Sequence, residues 1–276
     1  PSQHDFDHVY TRQLYAGFGH KQFGELTYGN MTTITDEVTQ SDLANTYSLT
    51  DGLLETSARR VTQYVYNGDY GSNKVKFGAY YGGSSKRNIK NVDLKNNRKN
   101  TWGTGLIFDH EIDSIQNVTV AAGFTREISE NANKTAYYSN AYALGLAYNF
   151  VHTTYGLDFA HKDTKNKDGA GNKVKNNEVT AVIRQGLNED WNVYAMYSYK
   201  TEKTLPVGSA YSKSTDRQFL VGTEYYVYNQ GSLKVKPFLE WQATRTKYEN
   251  TFDKDSGKQL DRSRDFKTVI GLRAYW

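Results

Sequence analysis

The sequence predicts an all-β protein, a transmembrane antiparallel up-and-down β-barrel. Three observations predict it. The chain of 276 residues is 14% aromatic, with 23 Tyr, yet only 37% hydrophobic, and its mean hydropathy is −0.76. Apolar and polar residues alternate with period two in segment after segment. Short and long connections between those segments also alternate.

Low hydropathy would fit disorder, but disordered chains are poor in aromatics. It would also fit a soluble domain with a thin core, in which burial hardly offsets chain entropy. No apolar run is long enough for a transmembrane helix. A membrane barrel reconciles the figures, because only every second residue of its strands meets lipid. The chain has no Cys, which agrees weakly with export without disulfides. It opens on Pro1 with no signal peptide, as a mature or trimmed exported chain would. The net charge of +4 is spread over both signs with no basic block, so nucleic acid is not an expected partner.

The alternation runs along the chain in about 13 segments. They cover roughly 8–19, 23–32, 57–67, 74–84, 101–110, 118–127, 138–150, 153–163, 177–187, 191–202, 215–228, 233–246 and 264–276. In the last, Phe266, Thr268, Ile270, Leu272, Ala274 and Trp276 share one face, and Lys267, Val269, Gly271, Arg273 and Tyr275 the other. In 233–244, Leu233, Val235, Pro237, Leu239, Trp241 and Ala243 oppose Lys234, Lys236, Glu240 and Gln242. Tyr142, Leu144, Leu146, Tyr148 and Phe150 oppose Ala141, Ala143, Gly145, Ala147 and Asn149. Helical periodicity is absent. Strands of about ten residues suffice to cross a bilayer at a tilt.

Short connections such as "VH", "NED" and "NQGS" alternate with long ones such as "KRNIKNVDLKNNRKN", "ISENANKTAY" and "YENTFDKDSGKQLDRS". Short periplasmic turns and long external loops give this rhythm. A soluble sandwich would need a more apolar inner face. An odd strand count leaves the termini on opposite sides, whereas bacterial barrels have even counts. An open edge in lipid would leave backbone groups unpaired. The expectation is that an odd number of N-terminal strands is missing.

The residues now resemble a family. "TRQLYAGFGHKQFGELTYGN" (Thr11–Asn30), the acidic stretch "TDEVTQSDLANTYSLTDGLLET" (Thr35–Thr56) and the ending "VIGLRAYW" (Val269–Trp276) are similar to the general porins of Gram-negative outer membranes, enteric and Pasteurellaceae type. The resemblance implies a 16-stranded trimeric barrel. Three strands would precede the Thr-Arg strand, which brings 13 to 16. It implies one barrel domain over 1–276, with 33–56 as the third loop, folded inward to narrow the pore. Trp276 would close the terminal signal read by the assembly machinery.

On that pattern the loop acids Asp36, Glu37, Asp42, Asp51 and Glu55 face a basic wall containing Arg12 and Arg59 or Arg60. Arg12 falls on a family wall arginine and Asp42 on a family loop carboxylate. Thr46 and Asn30 depart from the pattern at a second acid and another arginine, and the enteric Pro-Glu-Phe-Gly-Gly core is absent. A charged constriction selects ions by size and sign while binding them weakly. Alternation alone aims further charges at water: Lys74, Lys76, Asp158, Arg184, Lys200, Glu224, Lys234, Lys236, Glu240, Lys267 and Arg273. Any one of these reads equally as an ordinary solvated side chain. Tyr15, Tyr66, Tyr81, Trp102, Tyr148, Tyr155, Trp191, Tyr199, Trp241 and Trp276 suit aromatic girdles at the interfaces.

No motif points to catalysis. The six His are scattered, without HExxH or metal-ligand spacing. There is no Gly-x-Ser-x-Gly and no P-loop. His161 with Asp158 and Asp163 is the nearest approach to a catalytic group. The expected function is a general diffusion porin without cofactor, passing ions and small hydrophilic solutes. Lipid, lipopolysaccharide and two further copies are its expected partners. A substrate-specific channel, or a barrel adhesin or receptor acting through its long loops, is the alternative.

Overall fold

A computed structural model describes residues 13–88, 90, 92–132, 134–167, 172–205, 211–250 and 259–276. It contains fifteen strands in one antiparallel sheet. They are β1 (Leu14–His20), β2 (Gly24–Thr32), β3 (Ser57–Tyr70), β4 (Asn73–Gly82), β5 (Ser85–Arg87), β6 (Asp93–Asp113), β7 (Gln116–Asn131) and β8 (Lys134–Phe150), followed by β9 (Thr153–Asn166), β10 (Lys173–Gly186), β11 (Trp191–Leu205), β12 (Ser212–Tyr225), β13 (Tyr228–Gln230), β14 (Leu233–Asn250) and β15 (Gln259–Tyr275). β5 and β13 have three residues each, so thirteen of the fifteen are long strands. Each long strand pairs with the next in sequence, as an up-and-down meander requires. β1 pairs with β2 and β15 with β14, and these two edges are not joined.

Each of the thirteen alternating segments overlaps one long strand, residues 8–12 of the first lying outside the described residues, but from β3 onwards most strands are longer than expected. β6 runs for 21 residues and β8 for 17. The added length comes out of the predicted long connections. The segment read as a long loop around 128–137 is a continuation of β7 and β8, with Asn131 paired to Lys134. Polar residues in a strand that rises clear of a membrane carry no apolar alternation, so periodicity stops where lipid would stop. A second difference is a 3-10 helix at Ile34–Val38 inside the 33–56 connection. Five residues are too few to produce a helical period in sequence.

The two faces of the sheet are inverted relative to a soluble protein. Leu144, Leu157, Phe219, Trp241 and Ile270 are exposed, while Glu240, Glu224, Glu178, Thr180 and Ser198 are buried. Water could not drive that arrangement, because apolar area would be left wet. A hydrocarbon surround does. Eight of the ten residues read as girdle aromatics are exposed, seven of them on the outer face and Tyr15 in register with Gly29 on the face of Thr27 and Gln63, and Tyr66 and Tyr148 are half-buried.

What covers the inner face is the 33–56 connection. Ile34, Val38 and Leu54 pack on Val61, Tyr80, Ile107, Ala121, Ala141 and Ala143. Leu49 packs on Val182, Tyr194, Met196 and Leu220. The apolar core therefore lies between one loop and the wall, not between two layers of sheet.

The outward position of Leu144 sets an expectation for stability. Leu144→Arg should cost about 2–4 kcal/mol, as a cation at the bilayer midplane does. Lys74→Ala, on the inner face and exposed, should change stability little. Denaturant titration of refolding into lipid vesicles measures both.

Candidate functional site

The 33–56 connection lies in a trough of small side chains. Gly78 of β4 pairs with Gly105 of β6, and Gly105 with Gly123 of β7. Gly145 of β8 and Gly156 of β9 continue the trough. A Cβ at Gly78 would stand 3.0 Å from the Ile34 side chain. At Gly123 it would stand 2.8 Å from Val38, and at Gly145 2.1 Å from the Val38 carbonyl oxygen. At Gly156 it would meet the Gln40 carbonyl oxygen at 2.6 Å. Ala141, Ala143 and Ala147 fill neighbouring inner positions. The small residues opposite Tyr142, Leu144 and Leu146 are thus the floor on which the loop rests.

An irregular segment laid on a wall must find partners for its backbone N–H groups. Wall carboxylates supply them. Asp158 of β9 accepts the N–H of Gln40 at 2.9 Å and that of Ser41 at 2.8 Å, together with the Ser41 hydroxyl at 2.5 Å. Glu178 of β10 accepts the N–H of Asp51 at 3.0 Å. Glu240 of β14 accepts three successive N–H groups, from Asn45, Thr46 and Tyr47, and the Tyr194 hydroxyl at 2.7 Å. Glu224 of β12 accepts the Asn45 side-chain amide at 2.8 Å. Arg184 and Lys236 hold Glu224 at 2.5 Å each. Arg273 donates to the Asn45 carbonyl oxygen. Elsewhere the Gln63 side-chain oxygen accepts the Ile34 N–H at 2.7 Å, and the Tyr80 hydroxyl donates to the Glu55 carbonyl oxygen at 3.0 Å.

These contacts revise the expectation that Asp158, Glu224 and Glu240 line water. They are 7%, 2% and 0% exposed and bind the loop. Lys236 and Lys200, also expected at water, are buried at 7% each. Glu178 escaped the sequence reading, although its place on β10 two residues from Thr180 gives it the same inner-face parity. Of the other inner-face charges, Lys74 and Lys234 are exposed. Lys267 is exposed and pairs with Asp265 at 3.2 Å.

The five loop acids separate into three groups. Glu37 pairs with Lys76 of β4, and Asp51 with Lys200 of β11. Both partners stand on the wall the loop covers. Asp36 and Asp42 are exposed. Glu55 is half-buried at the base of the loop, and its N–H donates to the Thr125 hydroxyl at 3.3 Å. Burial pushes the Glu55 carboxyl up to about 7; nearby Glu127 adds to the rise, and Lys162 and Arg98 oppose it.

The predicted basic wall is only partly described. Arg12 lies outside the described residues. At Arg59 and Arg60 the strand bulges, with a register shift opposite Gly29–Met31 and a positive φ of 54° at Arg60. The bulge breaks the period, so Ala58 and Val61 are both buried. Asn30 stabilises it by accepting the Arg60 N–H at 3.3 Å. The Arg59 guanidinium donates to the Asn88 carbonyl oxygen at 3.4 Å, towards the 83–92 connection. Alternation could not fix this register, because the bulge removes the parity on which the reading depends. Trp276 is 91% exposed just past the end of β15.

An antiparallel meander with an apolar outer face, a charged inner face and a loop folded onto the latter defines a membrane β-barrel. The comparisons with known proteins say which kind. A family model described as Gram-negative porin matches residues 2–236. The chain is 22% identical over 249 residues to the major outer membrane protein of Pasteurella multocida strain Pm70, covering 85% of this chain and 64% of that one. It is 23% identical over 273 residues to a second Pasteurella multocida major outer membrane protein, covering 97% and 68%. In-vitro folded OmpT, an outer membrane protein of Vibrio cholerae, superposes with a TM-score of 0.63 at 16% identity, over 92% of this chain and 77% of that one. The anion-selective porin of Comamonas acidovorans does so with a TM-score of 0.57 at 13% identity, over 92% and 74%. The chain belongs to the Gram-negative porin family and is a protein of the outer membrane. It spans 64% and 68% of the lengths of those two Pasteurella relatives.

Two outcomes are expected from the loop's seating. Gly145→Val places side-chain atoms where the Val38 carbonyl sits, and Glu240→Ala strands three N–H groups. Each should open residues 40–50 to protease at least tenfold faster, on the scale of about 1–3 kcal/mol for a lost charged acceptor. The sheet should still resist. The second outcome concerns pH. An acid whose pKa is raised on folding stabilises the folded state while protonated. That contribution is complete below the ordinary 4.5 and is lost as pH rises through about 7. Loop protection should therefore fall between pH 5 and 8 in the native protein and stay flat in Glu55→Gln, as read by limited proteolysis.

Proposed function

We propose that the chain is the greater part of an outer-membrane general diffusion porin. Ions and small hydrophilic solutes pass passively through its barrel, and the 33–56 connection narrows the path. One observation carries the reading: a connection of this length is folded onto the inner wall and held there by four wall acids. A loop serving as an external recognition surface would have no use for them.

Asp36 and Asp42 are the acids we assign to the aqueous path: both are exposed on the loop, and Asp42 falls on a family loop carboxylate. Arg12 is assigned to the opposing wall on the family pattern. Charges placed across a narrow aqueous path bias ion passage without holding ions tightly. Tyr80 and Tyr194 face inward, but both are buried beneath the loop at 4% exposure, so they offer no stacking track to a solute. A homotrimer is part of the proposal. Vibrio cholerae OmpT, which shares the fold, has been solved in a trimer form.

In a planar bilayer under a salt gradient, the full-length protein should give large ohmic steps. Asp36→Asn combined with Asp42→Asn should move the reversal potential towards anion preference. An unmoved potential would remove these two residues from the path, and a silent bilayer after verified insertion would remove the porin reading.

A further inference from the structure

Two bulges lie near the root of the 33–56 connection, and one buried arginine joins them. The first is in β3, where Arg59 and Arg60 stand against the single residue Asn30 of β2. The second is in β6, where the register shifts between Arg98 and Asn100. Strict alternation from Thr101 and Gly103 would point Arg98 outward. The extra residue, Lys99, turns it to the inner face opposite Ser129, where it is 6% exposed. Re-aiming a side chain is a common use of a bulge.

The Arg98 guanidinium caps the β3 bulge. Its Nε and Nη2 donate to the Gly83 carbonyl oxygen at 3.0 and 2.8 Å, and Nη2 also donates to the Arg59 carbonyl oxygen. The Gly83 N–H donates to the Arg60 carbonyl oxygen at 3.3 Å. Both carbonyls that flank the positive φ of Arg60 are thereby held. A backbone of that kind persists only where its surroundings over-determine it. Gly82 leaves the room, since a Cβ there would stand 3.2 Å from Nη2 of Arg98. Among the described residues no carboxylate forms an ion pair with Arg98, although Glu127 and Glu55 lie near enough to balance its charge. The donors therefore serve backbone oxygens, and a rigid fork that reaches two carbonyls at once is what Lys lacks.

The bulge begins three residues past the loop. The Thr56 carbonyl oxygen accepts the Thr33 N–H at 2.8 Å, and the Glu55 carbonyl oxygen accepts the Thr35 hydroxyl at 2.7 Å. The loop thus closes on itself just before β3. What the bulge alters is the aim of Arg59. Regular alternation with Val61 and Gln63 would point Arg59 into the lumen. With the bulge, Ala58 is the buried residue beside Val61, and the Arg59 guanidinium reaches the Asn88 carbonyl oxygen instead.

We propose that Arg98 is a specificity-determining positioning residue: by locking the β3 bulge it keeps Arg59 off the aqueous path, and so keeps a positive charge away from the mouth of the constriction. The effect on ions rests on the porin reading; the clamp itself rests on the geometry alone. The proposal has a distinctive sign. A cation lining the path favours anions, so removing one ordinarily shifts preference towards cations. Removing Arg98 does the reverse, because it releases Arg59 into the lumen.

The test measures reversal potential under a salt gradient for the full-length protein, for Arg98→Gln and Arg98→Lys, and for the same changes combined with Arg59→Gln. Both single variants should move towards anion preference, the lysine included, because it keeps the charge but not the fork. In the Arg59→Gln background, Arg98→Lys should leave the potential where Arg59→Gln alone has it, which is the coupling a double-mutant cycle isolates. A shift towards cations in Arg98→Gln, with none in Arg98→Lys, would mean that Arg98 acts by its charge, and the proposal would be overturned. No shift in either variant, or a shift that survives Arg59→Gln, would overturn it equally. Arg98→Lys decides the matter if Arg98→Gln fails to fold. A second readout needs no conduction. Lys86 and Arg87 are exposed in the 83–92 connection. Without the Arg98 fork, trypsin should cut there roughly tenfold faster, on the scale of a lost hydrogen bond to a charged group. An unchanged rate in Arg98→Lys would overturn the clamp. A native protein silent in the bilayer would sink the porin reading and leave the trypsin result to judge the clamp.

Discussion

Everything distinctive in this molecule depends on carboxylates of the barrel wall accepting the backbone N–H groups of one loop. A segment of more than twenty residues with almost no regular structure cannot rest on a wall unless its peptide groups are satisfied. Water would satisfy them if the loop stayed outside. Inside, Asp158, Glu178 and Glu240 do so. An ionised carboxylate is suited to the task because it only accepts, and it accepts several times. The charge is then balanced locally. Glu224, which holds the Asn45 side chain, stands between Arg184 and Lys236.

The second requirement is space. The loop descends on strands whose inner positions include a run of glycine and alanine, from Gly78 through Gly105, Gly123 and Gly145 to Gly156. Past Gly156 it leaves the trough, and its tip is held by the Glu224–Glu240 group instead. The outer positions of the same strands carry Leu, Phe, Tyr and Trp. β8 thus has a smooth side for the loop and a bulky side for the lipid.

This division explains what could be read in the sequence. The alternation of 138–150 and 233–246 specified both faces of β8 and β14, because lipid imposes a strict period. Thirteen strands and their order followed from it. The polar upper ends of β7 and β8 were illegible as strands, because nothing apolar marks them. At the site, the 33–56 connection and its acids stood out in the sequence, but the use of the wall acids did not. Asp158 and Glu240 on a polar face look the same whether water or peptide N–H groups will meet them. The clue was Gly145 and Gly156 beside Asp158, since an inner face without side chains implies something resting on it. Arg59 and Arg60 were lost to a bulge, which no period can register.

A cross-link tests the central claim most directly. The 276 residues contain no Cys, and Ser41→Cys with Asp158→Cys adds one pair to them, at a place where the native side chains hydrogen-bond. The protein is expressed in the outer membrane of intact cells and oxidised mildly, and the disulfide is scored by digestion and mass spectrometry. A loop held on the wall predicts near-complete bond formation and protection of Ser41→Cys from a bulky, impermeant thiol reagent. A pair that stays reduced while Ser41→Cys is labelled from outside would show that the loop does not lie on the wall, and the account would fall with it.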